Sequence, residues 1–299
     1  MNIDSIASVA RSYADKTSAK LGFGFCDLAS GASFFLHGDD AFPAASAYKV
    51  WILAEVLRGA EAGGYSMQDR LTLTREVKSL GSGVLYDLGE GLQPTLLDYA
   101  TLMMILSDNT ATDVLFGYVG RDNIKQNILD RYELAQTKCD WTCARLIEYT
   151  CGLTAENIDQ WASLPRYFRN KAEYACTTEE NDQTSPQDAV KTLRMAYEGT
   201  LVSPTVSAEM LRIMKLCQTN SRIPKHLPRG TEVAHKTGTI DRVANDMGIV
   251  YTPKGDYVLT LFYNGNLANE EDYAANLGGG IGDTLLAELS RDVYAAYMA

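Results

Sequence analysis

Apolar positions in this chain fall into runs that read as alternating blocks of helix and strand. Residues 2 to 18 read as an opening helix. Gly22-Phe23-Gly24-Phe25-Cys26-Asp27-Leu28 and Ala32-Ser33-Phe34-Phe35-Leu36 flank Ala29-Ser30-Gly31 and predict a β-hairpin. The run Val50-Trp51-Ile52-Leu53-Ala54-Glu55-Val56-Leu57 predicts a buried helix, and Leu96 through Leu106 a second. Late in the chain, Gly248-Ile249-Val250-Tyr251 and Tyr257 through Tyr263 predict two antiparallel strands that join the hairpin. Thr284 to Met298 then reads as a helix packed on the sheet. The pattern is a discontinuous α/β sandwich (α+β): an antiparallel sheet flanked by helices, from residues 1–44 and 218–299, around an all-helical subdomain at 45–217. No repeat, low-complexity tract or linker divides the 299 residues, so they are expected to form one unit.

Composition narrows the functional classes. A hydrophobic fraction of 46% and a charged fraction of 22% are ordinary for a globular enzyme and fit neither disorder nor a membrane span. The net charge of −11 argues against nucleic acid and against an anionic membrane surface as partners. Met1-Asn2-Ile3-Asp4-Ser5-Ile6 has neither the basic start nor the apolar core of a secretory leader. A cytoplasmic protein is therefore expected, or a periplasmic or secreted one if a leader has been removed. A monomer is expected.

Three short motifs carry the candidate chemistry: Ser46-Ala47-Tyr48-Lys49, Ser107-Asp108-Asn109 and Lys236-Thr237-Gly238. Each is common by chance, whereas the ordered set is specific. Ser46 opens a predicted helix, where free N–H groups and the dipole stabilise a developing oxyanion. Lys49 lies about one turn on and can fold back beside the Ser46 hydroxyl, serving as a base if burial or nearby positive charge lowers its pKa. Ser107-Asp108-Asn109 reads as a polar break between helices, with Ser107 as a proton relay and Asn109 as an amide that orients a substrate carbonyl. Lys236, Thr237, Gly238 and Thr239 on a strand edge supply a cation, a hydroxyl, a close backbone approach and an N–H.

On these motifs the chain resembles the penicillin-recognising serine enzymes and, within them, the class A β-lactamases. Gly81-Ser82-Gly83-Val84-Leu85 and Asp182-Gln183-Thr184-Ser185-Pro186 extend the resemblance over nearly the whole length. It implies a β-lactamase/transpeptidase-like fold, with Ser46 as acyl nucleophile, Lys49 as acylation base, and Ser107 and Lys236 as proton relay. It further implies the N–H groups of Ser46 and Thr239 as oxyanion hole. No metal or organic cofactor is expected. The partner is a small-molecule or peptide acyl substrate, β-lactam-like and carboxylate-bearing. Arg222 stands where some relatives send a guanidinium to the substrate carboxylate; the other reading is a loop arginine in solvent.

The departure from the family lies at about 138–182. Class A enzymes carry there an omega-shaped loop whose glutamate activates the deacylating water, in a pattern like Arg-Trp-Glu-Pro-Glu-Leu-Asn. Counting forward from Ser107 puts that glutamate's place on Cys143; counting back from Asp182 puts it near Phe168. Neither is a carboxylate, and the disagreement implies an insertion reading as Leu146 through Leu164. Glu148, Glu156 and Glu173 are the carboxylates available for redeployment. Of the six cysteines (Cys26, Cys139, Cys143, Cys151, Cys176, Cys217), Cys139 and Cys143 would share a helix face. Buried reduced thiols are favoured over a cross-link to Cys151 or Cys176 and over a metal pair. His235 is read as a strand residue under the site.

The expected function is a serine hydrolase or acyltransferase that forms an acyl intermediate on Ser46 with β-lactam, ester or amide substrates. True β-lactamase turnover is weak or absent in that reading. The alternatives are a working class A β-lactamase with a relocated carboxylate base and a non-catalytic, penicillin-binding sensor-like module.

Overall fold

The computed structural model describes residues 2–151, 181–240, 242–265 and 280–299. The first helix, α1 (Ile3–Ala14), is capped by the Asn2 side chain and leads into β1 (Lys20–Asp27) and β2 (Ser33–Leu36). The hairpin forms as its pattern predicts, with Phe25 opposite Phe34 and Cys26 opposite Ser33. A short strand β3 (Phe42–Pro43) and a 3-10 turn (Ala45–Tyr48) precede α2 (Lys49–Glu61). Helices α3 (Leu96–Ile105), α4 (Asn109–Val119), α5 (Arg121–Ile124) and α6 (Cys143–Cys151) follow. Then come β4 (Gln183–Thr184), α7 (Pro186–Glu198) and α8 (Pro204–Met214). Strands β5 (Val233–Ile240), β6 (Val243–Val250) and β7 (Tyr257–Asn264), with the terminal helix α9 (Ile281–Met298), close the fold.

The five long strands form one antiparallel sheet in the order β2-β1-β7-β6-β5. Both of its faces are covered, which is why β6 is buried at every position and its sequence shows no simple alternation. Phe23, Phe25, Leu259 and Leu261 pack with Ile6, Leu289 and Val293 of α1 and α9 on one face. Cys26, Met247, Ile249, Val258 and Phe262 pack on the other with Trp51, Leu193 and the α2–α4 helices. The Trp51 indole N–H donates to Thr192 Oγ1 at 3.0 Å, tying α2 to α7 inside this core. Among the described residues no helix is long and apolar enough to cross a membrane.

Two connections fix the surroundings of Ser46. The ribbon β3–β4 pairs Phe42 with Thr184 and Pro43 with Gln183, and Ala44 N–H donates to Asp182 O at 2.8 Å. Lys138 bridges Gln183 as well, with Lys138 N–H on Gln183 O at 2.9 Å. The two ends of the 138–182 segment therefore meet beside the chain that enters Ser46.

Lys236-Thr237-Gly238 lies on β5, at the edge of the sheet. Two expectations change. Cys139 precedes α6, whose first residue is Cys143, so the two do not share a helix face. Thr284 is not the start of the terminal helix, which begins at Ile281. Phe168, Glu156, Glu173 and Cys176 lie outside the described residues, as does most of the inferred insertion.

Candidate active site

Ser46 sits in the 3-10 turn that runs into α2, half-buried, and directly follows Ala45 at φ +45. A non-glycine residue in the left-handed region costs on the order of 1–3 kcal/mol and persists only where its surroundings hold it. Here β3 and Asp182 hold the chain before the turn, and β5 holds the turn itself. A Cβ on Gly238 would stand 2.5 Å from Ala44 O, 3.0 Å from Ala47 N and 3.2 Å from Ser46 N. The absence of that one carbon lets an edge strand run against the backbone of the serine.

Lys49, the first residue of α2, is wholly buried. Its Nζ donates to Ser107 O at 2.8 Å, to Ser107 Oγ at 3.1 Å and to Asn109 Oδ1 at 2.9 Å. An ammonium has three N–H donors, and these oxygens engage them, so Lys49 folds toward the second motif and Ser46 is not among its hydrogen-bond partners. Burial lowers the Lys49 pKa, against the opposing effects of Cys143, Asp113 and Asp108. A neutral amine is thus brought closer, and its lone pair is what a serine proton would need.

Ser107 occupies the break between α3 and α4 at φ +56. Asp108 caps α4 through Ala111 N–H and accepts the Val84 and Leu85 N–H groups at 2.6 and 2.9 Å. Asn109 accepts Lys49 on Oδ1 and donates from Nδ2 to Leu80 O at 2.8 Å. One amide hydrogen of Asn109 is not used in these two bonds.

Lys236 completes the cluster from β5. It is also wholly buried, with Nζ 3.1 Å from Ser107 Oγ and 2.7 Å from Thr237 O. One hydroxyl therefore receives both lysines. Burial, then the nearby Lys49 charge, brings the Lys236 pKa down to about 7. Two buried amines with lowered pKa values thus stand 3.1 Å from one hydroxyl.

Arg222 is buried, 2% exposed, and not in solvent. Nε donates to Asp283 Oδ1 at 2.6 Å, Nη1 to Gly238 O at 2.9 Å and to Asn245 O, and Nη2 to Thr239 Oγ1. Four of its five donors are thus engaged in holding the end of β5 and β6. Its approach to the site is through the Thr239 hydroxyl, on an exposed residue. Asp283 had no sequence signal, because it lies on α9, distant in the chain from every motif.

Cys143 opens α6. Its N–H and that of Ala144 donate to the two carboxylate oxygens of Asp113 at 2.6 and 2.8 Å, a cap supplied from α4. The Cys143 sulfur is buried, 3.2 Å from the Tyr48 hydroxyl and adjacent to Lys49. Burial pushes its pKa up to about 11, so a protonated thiol stands there at neutral pH. Glu148, five residues along α6, points about 140° away around the helix axis. Asp182 accepts Asp140 and Trp141 N–H on Oδ1 at 2.7 and 3.1 Å, its buried Oδ2 has no partner among the described residues, and burial raises its pKa to about 8. Asp182 was legible as the far end of the loop, whereas the clamp of Asp113 was missed by sequence reading, since a lone aspartate carries no pattern.

Among the described residues no cluster of His, Cys, Asp and Glu fit to hold a metal occurs. The chain is similar in structure to a beta-lactamase from Sphaerobacter thermophilus DSM 20745, at 25% identity and TM-score 0.79, covering 100% of this chain and 98% of that one. It is similar to PBP-A at 25% identity and TM-score 0.78, covering 99% of this chain and 96% of that one. A point mutant of PBP-A, described as an acyl-enzyme complex with penicillin G, gives 25% identity and TM-score 0.78, covering 99% and 97% of the two chains. A search of curated proteins finds no match. The description of the beta-lactamase enzyme family matches residues 4–297, and with the serine, the two lysines and the bridging hydroxyl in place the chain belongs to that family.

Proposed function

We propose that this protein is a serine acyl-enzyme hydrolase or acyltransferase that opens β-lactam, ester or amide carbonyls on Ser46 and releases the acyl group slowly. The observation that carries the reading is the Ser107 hydroxyl, 3.1 Å from both the Lys49 and the Lys236 amines. A structural pair of buried lysines would be a poor design, because each charge raises the cost of the other. A relay that must move one proton from nucleophile to leaving group has use for the arrangement.

In this reading neutral Lys49 takes the Ser46 proton as Oγ attacks the carbonyl carbon. The Ser46 and Thr239 N–H groups receive the oxyanion, beside the close approach at Gly238. Ser107 protonates the leaving atom and is reprotonated from the lysines. Lys236, Thr237 and the Thr239 hydroxyl, held by Arg222, receive a substrate carboxylate, and the free Asn109 amide hydrogen orients the acyl chain. Deacylation then needs a base for water. Cys143, in the place expected for it, is a thiol with its pKa near 11 and takes no proton at neutral pH. In this reading that place supplies no base, a loss of about a hundredfold to ten-thousandfold in rate, and the acyl-enzyme accumulates. That PBP-A, a structural relative, yields an acyl-enzyme complex with penicillin G in mutant form supports the same chemistry here.

The test is intact-protein mass spectrometry over time after mixing with a penicillin and, separately, a cephalosporin, with Ser46→Ala beside the wild type. A persistent adduct absent from Ser46→Ala is expected. Rapid loss of drug without an adduct would establish a true β-lactamase and refute slow deacylation. An adduct that survives in Ser46→Ala would overturn the assignment of the nucleophile.

A further inference from the structure

Helix α6 turns Cys143 and Ile147 toward the acylation cluster. Cys143, its first residue, places its sulfur 3.2 Å from the hydroxyl of Tyr48, the residue before Lys49. Ile147 follows four positions on, about 40° further around the helix axis, so the two side chains share a face. Gly81 shows how far the second one reaches. A Cβ built on Gly81 would stand 3.0 Å from Ile147 Cδ1 and 2.6 Å from Asn109 Nδ2. Asn109 is the residue whose Oδ1 takes Lys49 Nζ at 2.9 Å. A thiol and an aliphatic side chain therefore border the cluster from Tyr48 to Asn109.

Both sides of this border are fixed. Asp113 caps α6 through the Cys143 and Ala144 N–H groups at 2.6 and 2.8 Å. Opposite, Gly81 at φ +101 brings its loop in close, where Ser82 O accepts Asn109 N–H and Leu80 O accepts Asn109 Nδ2, both at 2.8 Å. A water is held in a protein site by roughly two to four polar partners. Neither Cys143 nor Ile147 carries an oxygen, and the sulfur already faces the Tyr48 hydroxyl. Glu148 is next in the chain but lies about 140° from Cys143 around the axis, so its carboxylate does not serve this face.

We infer, resting on the acyl-enzyme reading above, that Ile147 is a specificity-determining residue: with Cys143 it keeps water from the acyl ester on Ser46, so the acyl group passes to a neutral primary amine in preference to water. The incoming amine retraces the step in which Ser107 protonates a leaving nitrogen. Its lone pair attacks the acyl carbonyl carbon, a C–N bond forms, and the C–O bond to Ser46 breaks. The proton that the nitrogen sheds passes through Ser107 Oγ and the lysines to Ser46 Oγ, which leaves an amide and free enzyme with no other reactant. An amine attacks with its own lone pair. Water is the weaker nucleophile and needs a base at the moment of attack, and Cys143 and Ile147 give it neither a base nor a hydrogen-bonded position.

The full-length protein is given a p-nitrophenyl ester, whose leaving group departs and vacates the cleft, together with glycinamide as the amine. Amide and acid products are counted by chromatography with mass detection, with Ser46→Ala as the blank. Their ratio reports the fate of each acyl-enzyme, whatever fraction of the protein is folded and however fast it acylates. The wild-type ratio of amide to acid is expected to exceed that of the free ester in the same solution by on the order of tenfold or more. Ile147→Asn adds an amide that can hold a water beside Asn109, and should lower the ratio by on the order of tenfold. Ile147→Val keeps the face apolar and should keep the ratio. A wild-type ratio no higher than that of the free ester, or an unchanged ratio in Ile147→Asn, overturns the role of Ile147 alone. Failure of every ester and penicillin to acylate Ser46 overturns the acyl-enzyme and the role of Ile147 together.

Discussion

Replacing Gly238 with alanine adds a methyl group where three backbone atoms already stand. The new carbon would lie 2.5 Å from Ala44 O, 3.0 Å from Ala47 N and 3.2 Å from Ser46 N. No flexible side chain is among them, so either β5 moves out or the Ser46 turn moves back. The turn is held by β3, by Asp182 and by the Asn245 amide, which donates to Pro43 O at 2.8 Å and Ala44 O at 3.1 Å. Overpacking of this kind costs roughly 1–3 kcal/mol of stability. The larger effect falls on chemistry, because a displacement of about 1 Å in a catalytic group costs on the order of a hundredfold in rate. Urea unfolding and the rate of adduct formation with a penicillin measure the two effects. Gly117→Ala in α4, where nothing lies within 4 Å, is the control, expected to stabilise by about 0.5–1 kcal/mol through helix propensity. Wild-type stability and wild-type acylation in Gly238→Ala would refute the claim that this approach shapes the oxyanion site.

Cys143→Glu places a carboxylate beside Lys49 where the thiol now is, and should shorten the lifetime of the acyl-enzyme by tenfold or more, toward the roughly hundredfold a general base contributes; time-resolved mass spectrometry reads it. Acylation by a carboxylate-bearing penicillin should fall as pH rises through about 7, because Lys236 loses its charge there; a substrate lacking the carboxylate should show a weaker fall. Asp182 has its pKa raised to about 8, so the folded state binds its proton more tightly than the unfolded state. That contribution to stability is complete below about pH 4 and is lost as pH rises toward 8. Asp182→Asn keeps an acceptor for Asp140 and Trp141 N–H, and its stability relative to wild type should rise by more than about 1 kcal/mol between pH 4 and pH 9 in urea unfolding.

The elements that were legible in the chain share a cause. Strand β1, helix α2 and the terminal strands bury whole runs of apolar side chains, and local pattern suffices to reveal them. Lys236-Thr237-Gly238 was read as a strand edge, and β5, which bears it, is the edge strand of the sheet. In the structure it lies in the middle of β5, where the lysine is buried against Ser107. Cys139 was placed on the helix of Cys143 by spacing alone, but the chain enters α6 only at Cys143, where Asp113 caps it.

By itself the sequence determined the fold class, the order of elements and the three motifs, since each is written in residues near one another in the chain. Only the tertiary structure decided how the motifs meet. Lys49 turns to Ser107 and Asn109, one hydroxyl joins two lysines, and Arg222 is spent on Asp283 and the carbonyls of Gly238 and Asn245. Those pairings cross 16 to 129 positions of chain. Their energetics depend on burial, which removes competing water and makes each donor find an acceptor inside the protein. The pairing of His235 with Asp246 across two strands was settled the same way: by sheet register and by the room that Gly248 leaves.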